Sequence, residues 1–199
     1  MLFYQLLRPF AYIFIHHPVK RKVDWYLPLA LTAITIALIA PFREGMNVWA
    51  TFGVVATAQG LVQALPGFYI AALAAVATFG QRGSSLDSII PAPTPTIQTR
   101  FAGAWIEMKL SRRRFLCLLF AYLTAVSIVL SLFATYGQAI AGPARAVVAS
   151  LVVDVLSWVM FGFYLLFLFQ MVAVTLWGLY YLSDRMLQPD PFESSDSPG

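Results

Sequence analysis

Charge is what this sequence has least of. Asp, Glu, Lys and Arg make up 11% of its 199 residues, where a soluble domain carries roughly a quarter. With 60% hydrophobic residues and a mean hydropathy of +0.75, there is too little polar surface to cover a water-soluble globule, so the chain reads as an integral membrane protein. Cysteine is nearly absent: Cys117 alone excludes an internal disulfide framework. Histidine stops at His16 and His17, an adjacent pair that does not furnish a metal site alone. A zinc-helix motif, a glycine-rich phosphate loop and a Ser/His/Asp set are also missing, and Cys117 and Ser127 have no intramembrane histidine to activate them. The expectation is a protein without catalysis, cofactor or metal. Mid-membrane polarity is limited to Gln63, Ser127, Ser131 and Gln170, sparse for a transporter.

What is present is a set of long apolar runs marked off by charges. Trp25–Phe42 is an uncharged run of 18 residues, and 37 uncharged residues separate Glu44 from Arg82. A further 30 lie between Arg114 and Arg145, and 38 between Arg145 and Asp184, broken only by Asp154. About 20 apolar residues cross a hydrocarbon core of roughly 30 Å, so the first and third runs make one span each. The second and fourth are too long for one span and too short for two. Each is expected to hold a surface helix and a span: Asn47–Gln59 then Gly60–Gly80, and Ala146–Ser157 then Trp158–Leu182. Steep tilt, or a helix projecting into water, is the alternative.

The fold expected is therefore all-α with four transmembrane helices, interfacial amphipathic helices and a small cytoplasmic β-hairpin. Its segments are 1–24, an interfacial helix and basic cluster; 25–80, span, outer surface helix, span; 81–114, the cytoplasmic loop; 115–182, span, outer surface helix, span; and 183–199, an acidic tail read as disordered. Four spans put both termini on one side. Arg8, Lys20, Arg21, Lys22, Arg82, Arg100, Lys109, Arg112, Arg113, Arg114 and Arg185 lie on that side, against Arg43 and Arg145 on the other. This eleven-to-two bias places the termini in the cytoplasm, in a bacterial inner membrane by the resemblance given below. The basic cluster follows the first apolar stretch, which argues against a cleavable signal peptide.

That stretch, Leu2 to His17, is too short to cross. Phe3, Leu6, Leu7, Phe10 and Phe14 recur at helical spacing, the pattern of an interfacial foot. Lys20, Arg21 and Lys22 then face lipid headgroups. His16–His17 could sense surface pH, or simply help hold the first span in orientation.

The loop 81–114 carries Pro91, Pro93 and Pro95, which make an extended, stiff run. After it, Ile97, Thr99 and Phe101 alternate on one arm, and Ile106, Met108 and Leu110 on the returning arm, with Ala102–Gly103 between. This is a hairpin pattern. An isolated hairpin is marginal in water and must rest on lipid, a second copy or a soluble partner. Arg100, Phe101 and Trp105 beside its turn, Arg112, Arg113 and Arg114 after its N-cap candidate Ser111, and Phe192 in the tail are the candidate partner-docking residues. The arginine run lacks the extended basic face and stacking aromatics that nucleic acid needs, so no direct nucleic-acid binding is expected.

Within the bilayer, Gly60, Ala64, Gly67, Ala71 and Ala75 form a small-residue stripe suited to close helix packing, within the monomer or between copies. Pro66–Gly67 reads as a kink or as a hinge. Asp154 and Gln170 are the candidate intramembrane polar residues. Asp154 belongs to the outer surface helix or, if mid-span, to ion or proton handling; Gln170 bonds another helix or lines an oligomeric pore.

The stretches RPFAYIFIHHPVKRKVDWYLPL, LPGFYIAALAAVATF and KLSRRRFLCLLFAYL resemble small four-span inner-membrane proteins of bacterial anti-phage defence loci, among them the membrane subunit of the Kiwa system. The resemblance implies a subunit that senses envelope disturbance and holds a cytosolic partner; it carries over no site residues. The functional expectation is a homo-oligomeric membrane sensor and anchor that recruits or signals to a cytosolic protein effector, with membrane lipids as its other partners. The alternative is an oligomeric channel or pore that permeabilises or depolarises the membrane.

Overall fold

The structure, a computed structural model, describes residues 2–15, 18–43, 46–78, 89–90, 94–101, 104–147 and 150–185. Four helices in it are long and apolar enough to cross a membrane: Lys22–Phe42, Val54–Thr78, Arg112–Val147 and Leu151–Ser183. In chain order, α1 (Leu2–Leu7) runs into a 3₁₀ segment, Arg8–Phe14, and α2 (Pro18–Arg21) into a π-helical turn, Lys22–Tyr26. Then come α3 (Leu27–Ile39), α4 (Val54–Thr78), β1 (Thr96–Phe101), β2 (Ala104–Lys109), α5 (Arg112–Val147) and α6 (Ser150–Tyr180).

The helix α5 is the hub. It packs against α4, α6 and the 3₁₀ segment of the N-terminal arm, while α3 packs on α6. Phe115, Leu116, Leu119, Leu123, Val126 and Leu130 on α5 are all buried. The four helices alternate in direction, so the hairpin and the arm's connection to α3 share one end of the bundle, the hairpin end. The turn after α3 and the α5–α6 connection share the other, the far end.

Two expected surface helices are replaced by other structure. Residues 47–53 form tight turns that seat Trp49 in the core, and the helix begins at Val54. The Trp49 indole N–H donates to the Ser157 carbonyl at 3.2 Å, and its ring meets Phe133 and Tyr164 edge-on. A β-carbon on Gly137 would lie 2.3 Å from that ring, so only glycine admits it there. At Gly53 a β-carbon would meet the Val48 and Asn47 carbonyl oxygens at 2.6 and 2.8 Å, which closes the turn to any side chain.

No separate helix covers Ala146–Ser157 either. The helix α6 runs unbroken from Ser150, and α5 continues through Pro143 to Val147. Paired antiparallel, the two helices bond their backbones internally and cover part of each other's apolar surface, with Val153 buried. At 1.5 Å per residue their tip stands about 15 Å beyond Gly137.

The arm also departs from a surface foot. Tyr12 and Ile15 are buried while Leu6, Leu7 and Phe14 are exposed. Tyr12 stacks on Tyr122 at 5.0 Å and approaches Phe115 at 6.1 Å, and Phe10 meets Tyr122 edge-on at 6.2 Å. The arm thus climbs along α5, because a row of aromatic rings offers it more contact than a surface does.

Candidate functional site

The hairpin end collects the features that can hold a partner. The strands β1 and β2 pair antiparallel with Ile97 opposite Met108 and Thr99 opposite Ile106, the register that the alternation predicts. The base of the sheet, directly before α5, is closed by backbone bonds: the Leu110 N–H donates to the Pro95 carbonyl at 3.1 Å, and the Ile90 N–H to the Leu110 carbonyl at 3.3 Å. The Arg114 N–H donates to the Ser111 hydroxyl oxygen at 3.4 Å, so Ser111 caps α5 as its residue type suggests. Ile97 and Leu110 are buried at this base, whereas Ile106, further out, is 41% exposed. The sheet has two strands, and an antiparallel bridge from Ile89 to Ser111 covers its base, so among the described residues its outer edges are open beyond that base.

Of the arginine triplet, Arg112 is buried and turned away from any docking face, while Arg113 and Arg114 are half-buried and Arg114 reaches the Met108 sulfur. The side chains of Arg100, Phe101 and Trp105, and the tail residue Phe192, lie outside the described residues.

Beside the hairpin end lies a polar cluster absent from the sequence-based expectations. Lys20, expected among headgroups with Arg21 and Lys22, is 4% exposed and ion-paired at 2.5 Å with Asp24, itself 2% exposed. Arg21 and Lys22 do stay exposed. Tyr12 hydroxyl donates to Asp24 at 3.3 Å, and the Lys20 ammonium sits 4.2 Å from the Tyr12 ring centroid. Burial pulls the Lys20 ammonium below its ordinary range, and Asp24 opposes that pull. Two steps along, the Tyr122 hydroxyl donates to the Gln170 side-chain oxygen at 2.7 Å. The cluster ties the arm, the start of the first apolar helix, α5 and α6 into one unit. The physical reason is desolvation: once the arm covers Lys20, its charge needs a partner within reach, and Asp24 one turn away supplies it. That i, i+4 pair was the readable signal.

Gln170 is thus 2% exposed and bonded inside the bundle, turned from the surface where a pore of several copies would need it. Asp154 is exposed at the far end, in a cavity with Arg43 and Arg145. The small-residue stripe is outward-facing. Val55, Val62, Tyr69 and Val76, seven apart, form the buried seam of α4, and Gly60, Ala64, Gly67 and Ala71 lie exposed on the other face with Ala75 half-buried. A β-carbon at Gly60 or Gly67 would touch nothing within 4 Å. Among the described residues no group of three or more His, Cys, Asp or Glu could hold a metal ion.

Comparison with known proteins adds no relative. No family model, no curated protein and no solved structure matches the chain.

Proposed function

We propose that the protein is a homo-oligomeric membrane sensor and anchor whose hairpin end faces the cytoplasm and holds a soluble protein effector. The observation that carries this reading is the open-edged hairpin directly before α5. A two-stranded sheet is barely stable alone, and this one spends its buried residues and its Ile89–Ser111 bridge on its own base, leaving among the described residues its edges beyond that base and Ile106 uncovered. Such edges accept an added strand from a partner, with backbone hydrogen bonds giving affinity and alternate side chains giving specificity. The eleven-to-two distribution of Lys and Arg supports the cytoplasmic orientation. The inward bond of Gln170 favours the anchor over the pore. Because α5 packs against α4, α6 and the 3₁₀ segment of the arm and leads straight from the hairpin, a displacement of its far half is carried along one helix to the hairpin end. The resemblance of layout to bacterial defence subunits supplies the setting, an inner membrane under phage attack or envelope stress.

A photo-crosslinking residue placed at Ile106, and separately at Phe52 in the far-end turn, tests this in intact cells. A discrete adduct with a soluble protein from Ile106 and none from Phe52 is expected. Equal labelling from both positions, or adducts with copies of the chain alone, would refute the docking role.

A further inference from the structure

The far end carries opposite charges on an apolar face that the docking reading does not use. Along α5, Arg114 and Arg145 stand about 46 Å apart, close to the thickness of a bilayer with its headgroups, about 40–45 Å. With Arg114 at the hairpin end, Arg145 lies at the far headgroups, out of reach of acyl chains. The surface there is nevertheless apolar: Val147, Leu151 and Val155 are all exposed. Arg145, near the end of α5, and Asp154, near the start of α6, line one cavity of about 740 Å³ together with Arg43, Leu151 and Val155. Sharing a cavity puts Arg145 and Asp154 at nearly the same depth. Among the described residues no ion pair joins any of the three charged groups.

We infer that this face joins two copies of the chain in a two-fold pair, Arg145 of each copy meeting Asp154 of the other. The occupant follows from symmetry and charge. Copies with one topology in one membrane are related by an axis along the membrane normal, which keeps every residue at its own depth. A two-fold contact sets residue i on j and j on i. A cation and an anion at one depth are therefore complementary to a second copy of themselves and form two pairs at once. Arg43, contributed to the cavity by the end of the first span, adds attraction for the incoming carboxylate. Leu151 and Val155 meanwhile cover apolar surface that acyl chains do not reach. Headgroups answer the charges but not the apolar residues between them, and an uncharged apolar partner leaves Arg145 and Asp154 unpaired; a second copy satisfies both. The interface deepens the homo-oligomeric part of the reading above, on which it rests, and is independent of the effector.

The test co-expresses two differently tagged full-length copies, extracts them in mild detergent and measures how much of one is recovered with the other. Wild-type copies should co-purify. R145E in both copies, or D154R in both, sets like charges together and should lower recovery by about tenfold, a difference of about 1.4 kcal/mol. R145E in one copy with D154R in the other makes two opposite pairs again and should return recovery to the wild-type level, which a pairing inside one chain does not predict. That rescue also shows that both variants fold. A photo-crosslinking residue at Leu151 of the otherwise unchanged chain should give chain–chain adducts, and it reads the contact even where a charge variant fails to fold. Wild-type recovery by R145E or D154R alone, no rescue by the mixed pair of folded variants, or Leu151 adducts only with lipid or other proteins would overturn the interface. If wild-type copies still co-purify in that case, the homo-oligomer stands and joins through another face; if they do not, the homo-oligomeric reading falls with it.

Discussion

At the scale of single residues, the buried Lys20–Asp24 pair is the most exacting contact in the molecule. Two charges 4% and 2% exposed are tolerable only while each has the other, since removing one partner strands a charge in a low-dielectric setting. Lys20→Met alone is therefore expected to destabilise the bundle by about 3 kcal/mol. The double variant Lys20→Met/Asp24→Leu should regain most of that, because an apolar pair of similar size needs no compensating charge. Thermal unfolding of the purified protein in one detergent measures both; equal loss in the single and double variants would contradict the pairing. The i, i+4 spacing of Lys20 and Asp24 was legible in the sequence. What hid the pair was Tyr12, which covers it from a separate segment and turns Lys20 away from the headgroups that a terminal lysine normally meets.

Among elements, helices and strands were legible to different depths. Alternation identified the hairpin and its register, and Ser111 identified the cap of α5, because these patterns depend on neighbours in the chain. The number of long apolar helices followed from run length. Their inward faces did not, because lipid is as apolar as a protein interior and a residue facing either satisfies the same preference. Hence α4 presents two readable stripes, and composition alone does not tell the buried seam Val55–Val62–Tyr69–Val76 from the open row Gly60–Ala64–Gly67–Ala71. The merging of the expected surface helix into α6 has a similar origin: Ser150–Ser157 is apolar enough to lie flat or to continue α6, and there Val153 is buried while Leu151, Val152, Val155 and Leu156 stay exposed. If the open row joins copies of the chain, Gly67→Leu should leave the unfolding temperature of the isolated monomer unchanged and reduce the oligomer size seen by light scattering. A fall in monomer stability with the oligomer intact would place that face inside the fold instead.

Across the whole molecule, one long central helix connects two ends of different character. The far end offers a charged mouth, the Trp49 turn and an apolar tip that includes Val147 and Leu151, 85% and 75% exposed. The hairpin end offers an open-edged sheet, the exposed cations Arg21 and Lys22, and the latched arm. This division fits a protein that registers the state of the membrane at one end and holds a soluble partner at the other. Isolation of the tagged full-length chain from its native membrane in mild detergent, followed by quantitative mass spectrometry and a mass measurement of the intact complex, tests that claim most directly. The sensor–anchor reading predicts a soluble protein at fixed stoichiometry with several copies of the chain, lost when Ile106 is changed to Lys. An oligomer of the chain alone, conducting ions in a planar bilayer, would contradict it.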